Sequence, residues 1–337
     1  MQLKNILVEQ SVGAILIHNV MGPDGRKAFS KGSVVRAEDV EKLRALGQET
    51  VYAAVLDPDD VREDDAAVRL ARAAAGRGIE LSKPSGGRVN LYAAEPGFLQ
   101  INRDALKRMN ELNGVTLATI ARYASVPSRK IIATLKTVGL ALPEATLREA
   151  EKIVGARGKA VSIAPVSKRQ VANILTGSAN GKAKVQGAFG PPIRARIQEL
   201  GAQVLTEDYV SEDEAEIAGA IDRAARAGAQ LIVLAGETSV MDADDRTPRG
   251  IKRAGGEIEL YGAPVEPGNL LLLAYKPYPD TANASPPGRR EIPILGAPGC
   301  VKSRETNVVD LILPRLLIGE HVTRSDVIEL AEGGLLV

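Results

Sequence analysis

The chain has 337 residues, 45% hydrophobic and 25% charged, with 33 glycines, 19 prolines and a formal net charge of +1. That balance excludes a global electrostatic footprint for nucleic acid, and three Phe, seven Tyr and no Trp leave little for base-stacking platforms. One cysteine points to a reducing compartment, no apolar run reaches the roughly 18 residues of a membrane span, and MQLKNILVEQSVG lacks a signal peptide's apolar region, so a cytoplasmic chain of about two or three domains is expected, with no nucleic-acid or membrane partner.

Residues 1–80 predict a mixed α+β subdomain. VGAILIHNV reads as a strand and AEDVEKLRALG as a helix, with Val40, Leu43 and Leu46 on one face and Gly47 as its stop. ETVYAAVL resumes as a strand. EDDAAVRLARAAAG is a helix rich in Ala and Arg, for which Gly76 and Gly78 read as a C-cap. Residues 81–157 predict a β-rich subdomain of GRVNLYAA, GFLQIN, VTLATI and KIIATLKTVGLAL, with RDALKRMNELN as a short helix and PEATLREAEKIVG as the closing one. RGK at 157–159 reads as a linker. His18 and His321 lie far apart in sequence, which argues against a histidine metal site or triad and leaves both as surface residues.

Residues 158–320 alternate strand and helix, with 321–337 as a tail. VSIAPV reads as strand one and PPIRARIQELG as a helix with prolines at its start. AQVLTEDYV is the next strand. Ser211 and Glu214 read as a capping box opening a helix with Ile217, Ala218, Ile221, Ala224 and Ala225 on one face. AQLIVLA is a fully buried strand. Thr247-Pro248 reads as an N-cap with an N1 proline. GEIELYGAPV, NLLLLAY and REIPILG follow as strands, and Val308, Val309, Ile312, Leu313, Leu316 and Leu317 stripe the last helix, with Pro314 as a kink. The fold class is α/β: a C-terminal doubly wound α/β domain preceded by β-rich α+β subdomains.

In such sheets, ligands bind beyond the carboxyl ends of the strands. AGETSVMDADDRTPRG offers Gly236 for close backbone approach, hydroxyls on Thr238 and Ser239, and carboxylates on Asp242, Asp244 and Asp245 just before a helix. Those carboxylates fit either helix-dipole stabilisation or a ligand or Mg²⁺ site. GAPGCVKS allows a sharp turn at Gly296 and Gly299, stiffened by Pro298, with backbone N–H groups suited to an anion. Lys302 is placed to lower the Cys300 thiol pKa, yet no general base lies near in sequence, so a packed or ligand-facing Cys300 is preferred over a nucleophile. Lys168 and Arg169, after VSIAPV, read either as phosphate contacts or as solvated surface.

Together these loops resemble the molybdopterin-binding fold of molybdenum-cofactor biosynthesis proteins, over about residues 160–320. The molybdopterin molybdenumtransferases carry S-G-G-V-S-V-G-D; A-G-E-T-S-V-M-D here keeps Gly236, Ser239, Val240 and Asp242. DDRTPRGI is similar to the D-V-T-P-E-A helix start of molybdopterin adenylyltransferases, placing Asp245, Thr247 and Pro248. K-P-G-K-P corresponds to Glu266-Pro267-Gly268-Asn269-Leu270, and L-P-G-N-P-V-S to Ala297-Pro298-Gly299-Cys300-Val301-Lys302-Ser303. GAILIHNVMGPDGRKAFSKGSVV is similar to the family's opening pattern. The chain looks most like the molybdopterin-binding half of bacterial fusion proteins with a cytidylyltransferase-type half, which is expected to be absent here.

The resemblance implies a molybdopterin or molybdenum-cofactor site at Thr176, Gly177, Gly236, Glu237, Thr238, Ser239, Pro267, Gly268, Asn269, Gly296, Pro298, Gly299, Cys300, Lys302 and Ser303. It also implies a homodimer, with Asp242 and Asp245 catalytic or Mg²⁺-binding if the chain is an enzyme. Three departures bear on activity. The family's T-G-D-E is Thr176-Gly177-Ser178-Ala179, both lysines of K-P-G-K-P are replaced, and Glu237 stands where S-G-G has its second glycine. Losing groups that hold metal and oxyanion favours binding without chemistry: a cofactor maturation or hand-over protein, with a nucleotidyltransferase or molybdoenzyme as partner. An active molybdenumtransferase or adenylyltransferase, and a scaffold that binds no pterin, are the alternatives.

Overall fold

The computed structural model describes residues 1–238, 242, 244–279 and 291–336. Two compact units divide the chain, Met1–Ala164 and Pro165–Val337. No described helix is long and apolar enough to cross a membrane.

The first unit holds two apolar cores. Antiparallel strands Gln2–Leu7, Thr50–Val55 and Ile15–Leu16 and helix Ala37–Ala45 enclose Ile6, Val8, Leu16, Leu43 and Ala53. VGAILIHNV is not one strand: Asn19 accepts the Lys31 backbone N–H at 2.8 Å, and the run breaks into Ile15–Leu16 and Val20–Met21. His18 stacks on Tyr52, 5.8 Å between ring centroids.

The second core lies between helices Glu63–Ala74, Arg103–Asn110 and Glu144–Arg157 and a four-stranded antiparallel sheet of Val115–Thr119, Ile131–Thr137, Arg88–Ala93 and Ile79–Leu81. Gly76 is not the C-cap of Glu63–Ala74. Ala75 is, and the Gly76 N–H donates to Val161 O at 2.8 Å. VSIAPV also differs from its sequence reading. Val161–Ala164 pairs antiparallel with Gly97–Ile101 inside the first unit, because Gly97 lacks the Cβ that would lie 2.5 Å from Ala164 O.

The second unit is a three-layer α/β/α sandwich. Its strands are β1 Gln170–Thr176, β2 Gln203–Val210, β3 Leu231–Gly236, β4 Glu257–Tyr261, β5 Leu272–Pro277 and β6 Glu291–Gly296. Its helices are α1 Lys182–Glu199, α2 Glu214–Arg226, α3 Arg246–Arg253, α4 Val308–Leu317 and α5 Arg324–Ile328. The sheet order is β2-β1-β3-β6-β5-β4, with β1 parallel to β2 and β3, β3 parallel to β6, and β5 antiparallel to both its neighbours. Alternate residues of the central strands feed opposite cores. Val171, Leu175, Leu231 and Val233 pack with α1 and α4, while Ala172, Ile174, Ile232 and Leu234 pack with α2 and α3. Burial on both faces is why LIVLA is continuously apolar.

QVANILT, not VSIAPV, is therefore the first strand of this sheet. Helix α1 starts at Lys182, ahead of PPIRARIQELG, and carries Pro191 and Pro192 inside it. The carbonyls they leave without donors belong to Gly187 and Ala188, whose small side chains leave room for a bend. Helix α2 is capped by Asp213, which accepts from the Ala215 and Glu216 N–H groups at 2.9 and 3.2 Å, rather than by Ser211. Helix α3 has Asp245 as N-cap, so Thr247 and Pro248 fall in its first turn, where the missing proline N–H costs no helix bond. Lys168 and Arg169 precede β1 and so sit at the amino end of the sheet, away from the carboxyl-end loops.

Candidate functional site

In the order β2-β1-β3 the chain leaves β1 for α1 on one face of the sheet and leaves β3 for α3 on the other, which opens a crevice at the carboxyl ends of β1 and β3. Thr176 ends β1 and Gly236 ends β3, paired in register. Gly236 is required there: a Cβ would lie 2.3 Å from Thr176 Oγ1. Two hollows flank this junction. The larger, a cleft of about 530 Å³, is lined by Gly177, Ser178, Ser211, Glu212, Asp213, Glu214, Glu237, Arg246 and Arg253 among others. The smaller brings together Thr176, Gly236, Thr238, Thr247, Leu270, Gly296 and Gly299.

The Glu237 side chain ties the end of β3 to the loop after β1. Its Oε2 accepts from the Ser178 N–H and from the Ser178 hydroxyl, both at 2.9 Å, while its own N–H donates to Thr176 O at 2.8 Å. Those Ser178 bonds, against desolvation and with help from Lys184, hold its carboxyl below the usual carboxylate range. Gly177 and Gly181 make the space. A Cβ at Gly181 would lie 2.6 Å from Glu237 Oε2, and one at Gly177 would lie 2.5 Å from the Tyr209 hydroxyl. Tyr209 in turn donates to Ser178 O at 2.6 Å. Burial pushes its phenol pKa up, with Glu237 and Glu212 adding to the shift.

Across the cleft, Glu212 Oε1 accepts the Thr238 N–H at 3.0 Å and Glu212 O accepts from Arg246 at 3.1 Å. Asp242 and Asp245 sit at the start of α3, where Asp245 Oδ2 accepts the Asp242 N–H at 3.0 Å and Asp242 Oδ1 accepts the Asp244 N–H at 2.8 Å. Among the described residues, no set of three or more His, Cys, Asp or Glu converges as a metal-holding group. A Mg²⁺ here would lean on two carboxylates and on oxygens of the ligand itself, a donor set that this ion accepts. Ser239 lies outside the described residues.

The remaining residues read from sequence line neither hollow. Pro267, Gly268 and Asn269 form a turn against α4: the Val308 N–H donates to Pro267 O at 3.1 Å, and Asn269 O accepts from Ala263 at 2.9 Å. Gly268 has φ +128° and lies where a Cβ would meet Val308 Cγ1 at 2.3 Å. Pro298 caps the short 3₁₀ turn Gly299–Lys302, which contains Cys300 and is followed by Ser303. At Cys300 only the expected effect of Lys302 fails. Burial pushes its thiol pKa up, and Lys302 stands instead over the Phe189 ring, 5.1 Å from the centroid.

Arg196, unremarked in the sequence, shapes this segment. It is 4% exposed, pairs with Asp310 at 2.8 Å, and donates to the carbonyls of Val301, Ser303 and Glu305 at 2.8–3.1 Å. Ser178, Glu212 and Arg246 also line the larger cleft without being among the residues the sequence motifs single out. The signal for Ser178 was its place beside Gly177 after an apolar run. Glu212 and Arg246 carried none, because sequence spacing does not show two loops facing one another.

Residues 172–317 match a family model described as a probable molybdopterin binding domain, and residues 5–55 match a domain of unknown function, DUF8806. The resemblance carried by the loop motifs thus holds over the sheet that builds the crevice, and it supports a role in molybdenum cofactor biosynthesis. No curated protein matches the chain. Among solved structures, the tungsten cofactor synthesizing protein MoaB from Pyrococcus furiosus is 16% identical with a TM-score of 0.29, over 41% of this chain and 86% of that one. The protein CinA with unknown function from Thermoplasma acidophilum is 16% identical with a TM-score of 0.29, over 38% of this chain and 88% of that one. At those scores neither likeness carries weight here.

Proposed function

We propose, from a chain whose residues 172–317 match a molybdopterin-binding domain, that it binds a molybdopterin-type ligand at the carboxyl ends of β1, β3 and β6 and serves in maturation or hand-over of the cofactor. The observation that carries this reading is the coincidence of the family match with the crevice at the strand-order switch. Thr176, Gly177, Gly236, Thr238, Gly296 and Gly299 line it there. Arg246 and Arg253 are the cations lining the larger cleft. Pro267, Gly268, Asn269, Pro298, Cys300, Lys302 and Ser303 support that wall through their turns.

Anaerobic calorimetric titration of molybdopterin against the full chain tests this. Saturable binding, weakened about tenfold or more by Arg246→Ala, is expected if one charge-assisted contact is lost. No binding by the wild type removes the reading.

The pair Asp242 and Asp245 at the start of α3 favours a second reading, an active molybdenumtransferase or adenylyltransferase with Mg²⁺ at that pair. Turnover of adenylated molybdopterin with molybdate would then fall strongly in Asp242→Ala. An unchanged rate removes Asp242 from the chemistry. The proposal includes a homodimer and a nucleotidyltransferase or molybdoenzyme that takes up the cofactor. Light scattering of the purified chain checks the first, and a shift on mixing with either enzyme checks the second.

A further inference from the structure

At one point of the crevice, donors from one loop meet a carboxylate from another loop of the same chain. Ser178 aims a backbone N–H and a hydroxyl at a single point, just ahead of the N-terminus of the 18-residue α1. Gly177 and Gly181 keep that point clear, since a Cβ at either would fall within about 3 Å of what lies there. What lies there is the Glu237 carboxylate, reaching across from the end of β3. A second case of the same kind stands opposite: the Thr238 N–H, in the loop after β3, is taken by the Glu212 carboxylate. Two donor groups at the mouths of β1 and β3 are thus occupied by carboxylates from neighbouring loops. The larger cleft accordingly carries Glu212, Asp213, Glu214 and Glu237 against Arg246 and Arg253.

We infer that Glu237 is a resident stand-in for the phosphate of the ligand, competing for the Ser178 seat so that a phosphate monoester enters only by displacing the carboxylate. The inference rests on the ligand reading above for the class of molecule, but not for the existence of the seat. Two anions do not share one pair of donors, because each needs the same N–H and hydroxyl and at that spacing their charges repel. The competition weakens capture of a phosphorylated ligand and makes its release easier, which suits a protein that hands its cargo on. The swing of Glu237 also unties the loop after β3 from Ser178, so occupancy of the seat and freedom of that loop are coupled.

The test uses inorganic phosphate as probe, titrated by calorimetry against the full chain. The wild type is expected to bind it weakly or not at all. Glu237→Gly should gain a saturable phosphate site, at least about tenfold tighter than the wild type, since an apposed like charge is removed. Adding Ser178→Ala to Glu237→Gly should abolish most of that gain. Glu237→Gln keeps the length of the side chain while dropping its charge, and should show a smaller gain of the same kind, which covers the case of a glycine variant that folds poorly. No gain in either variant overturns the inference, as does a gain that survives Ser178→Ala. Molybdopterin is titrated in parallel. A phosphate gain without any molybdopterin binding leaves the seat standing and removes the ligand assignment, whereas molybdopterin binding without a phosphate gain does the reverse.

Discussion

Arg196 brings five hydrogen-bond acceptors of the 301–310 segment under one buried guanidinium: both oxygens of Asp310 and the carbonyls of Val301, Ser303 and Glu305. Arg196→Leu leaves a partly exposed carboxylate and three carbonyls without that partner, and stranding buried acceptors costs about 1–3 kcal/mol. Urea denaturation should show a loss of that order, and a loss near zero would mean that the segment rearranges freely. Glu237 makes a prediction in pH. Its folded pKa is lowered, so its hold on Ser178 is complete above the ordinary glutamate range and is lost as pH falls through the lowered value. The Ser178 amide resonance should therefore titrate with a midpoint below that of an ordinary glutamate. The transition should vanish in Glu237→Gln, and a midpoint at or above the ordinary range would contradict the contact.

At the scale of elements, chain ends and caps decide where helices start. Asp213 caps α2 through two backbone N–H groups, whereas Ser211 makes no cap there. Asp213→Ala should cost about 1 kcal/mol, and Ser211→Ala should stay within about 0.5 kcal/mol. The reverse order in thermal unfolding would restore the sequence reading of the cap. Gly268→Ala should cost about 2 kcal/mol or more, from the Val308 overlap and the positive φ together. These positions also show what the sequence reveals. The amphipathic stripes of α2 and α4 and the apolar run of β3 were legible, because each carries its period within one segment. VSIAPV has the same local pattern as a central strand, and its assignment turned on Gly97, more than sixty residues away, so no local reading placed it in the first unit.

For the whole molecule, the two units each enclose their own apolar cores, and the α/β architecture of the second was legible from its alternation of strand and helix. A fragment spanning residues 165–337 should therefore fold alone, with dispersed amide resonances and cooperative unfolding. A collapsed, undispersed spectrum would show that the unit depends on the rest of the chain. Gly177, Gly236 and Thr238, which motifs after apolar runs single out, do line the crevice. Glu212 and Arg246 were not legible in the sequence, because the cleft forms only when the loops after β2 and β3 face one another. The most direct test of the central claim is amide hydrogen exchange of the full chain, with and without molybdopterin under anaerobic conditions. Protection confined to residues 176–181, 211–215 and 236–247 is the expected result. Unchanged exchange there, or protection only at the amino end of the sheet, would contradict a ligand site at the β1–β3 crevice.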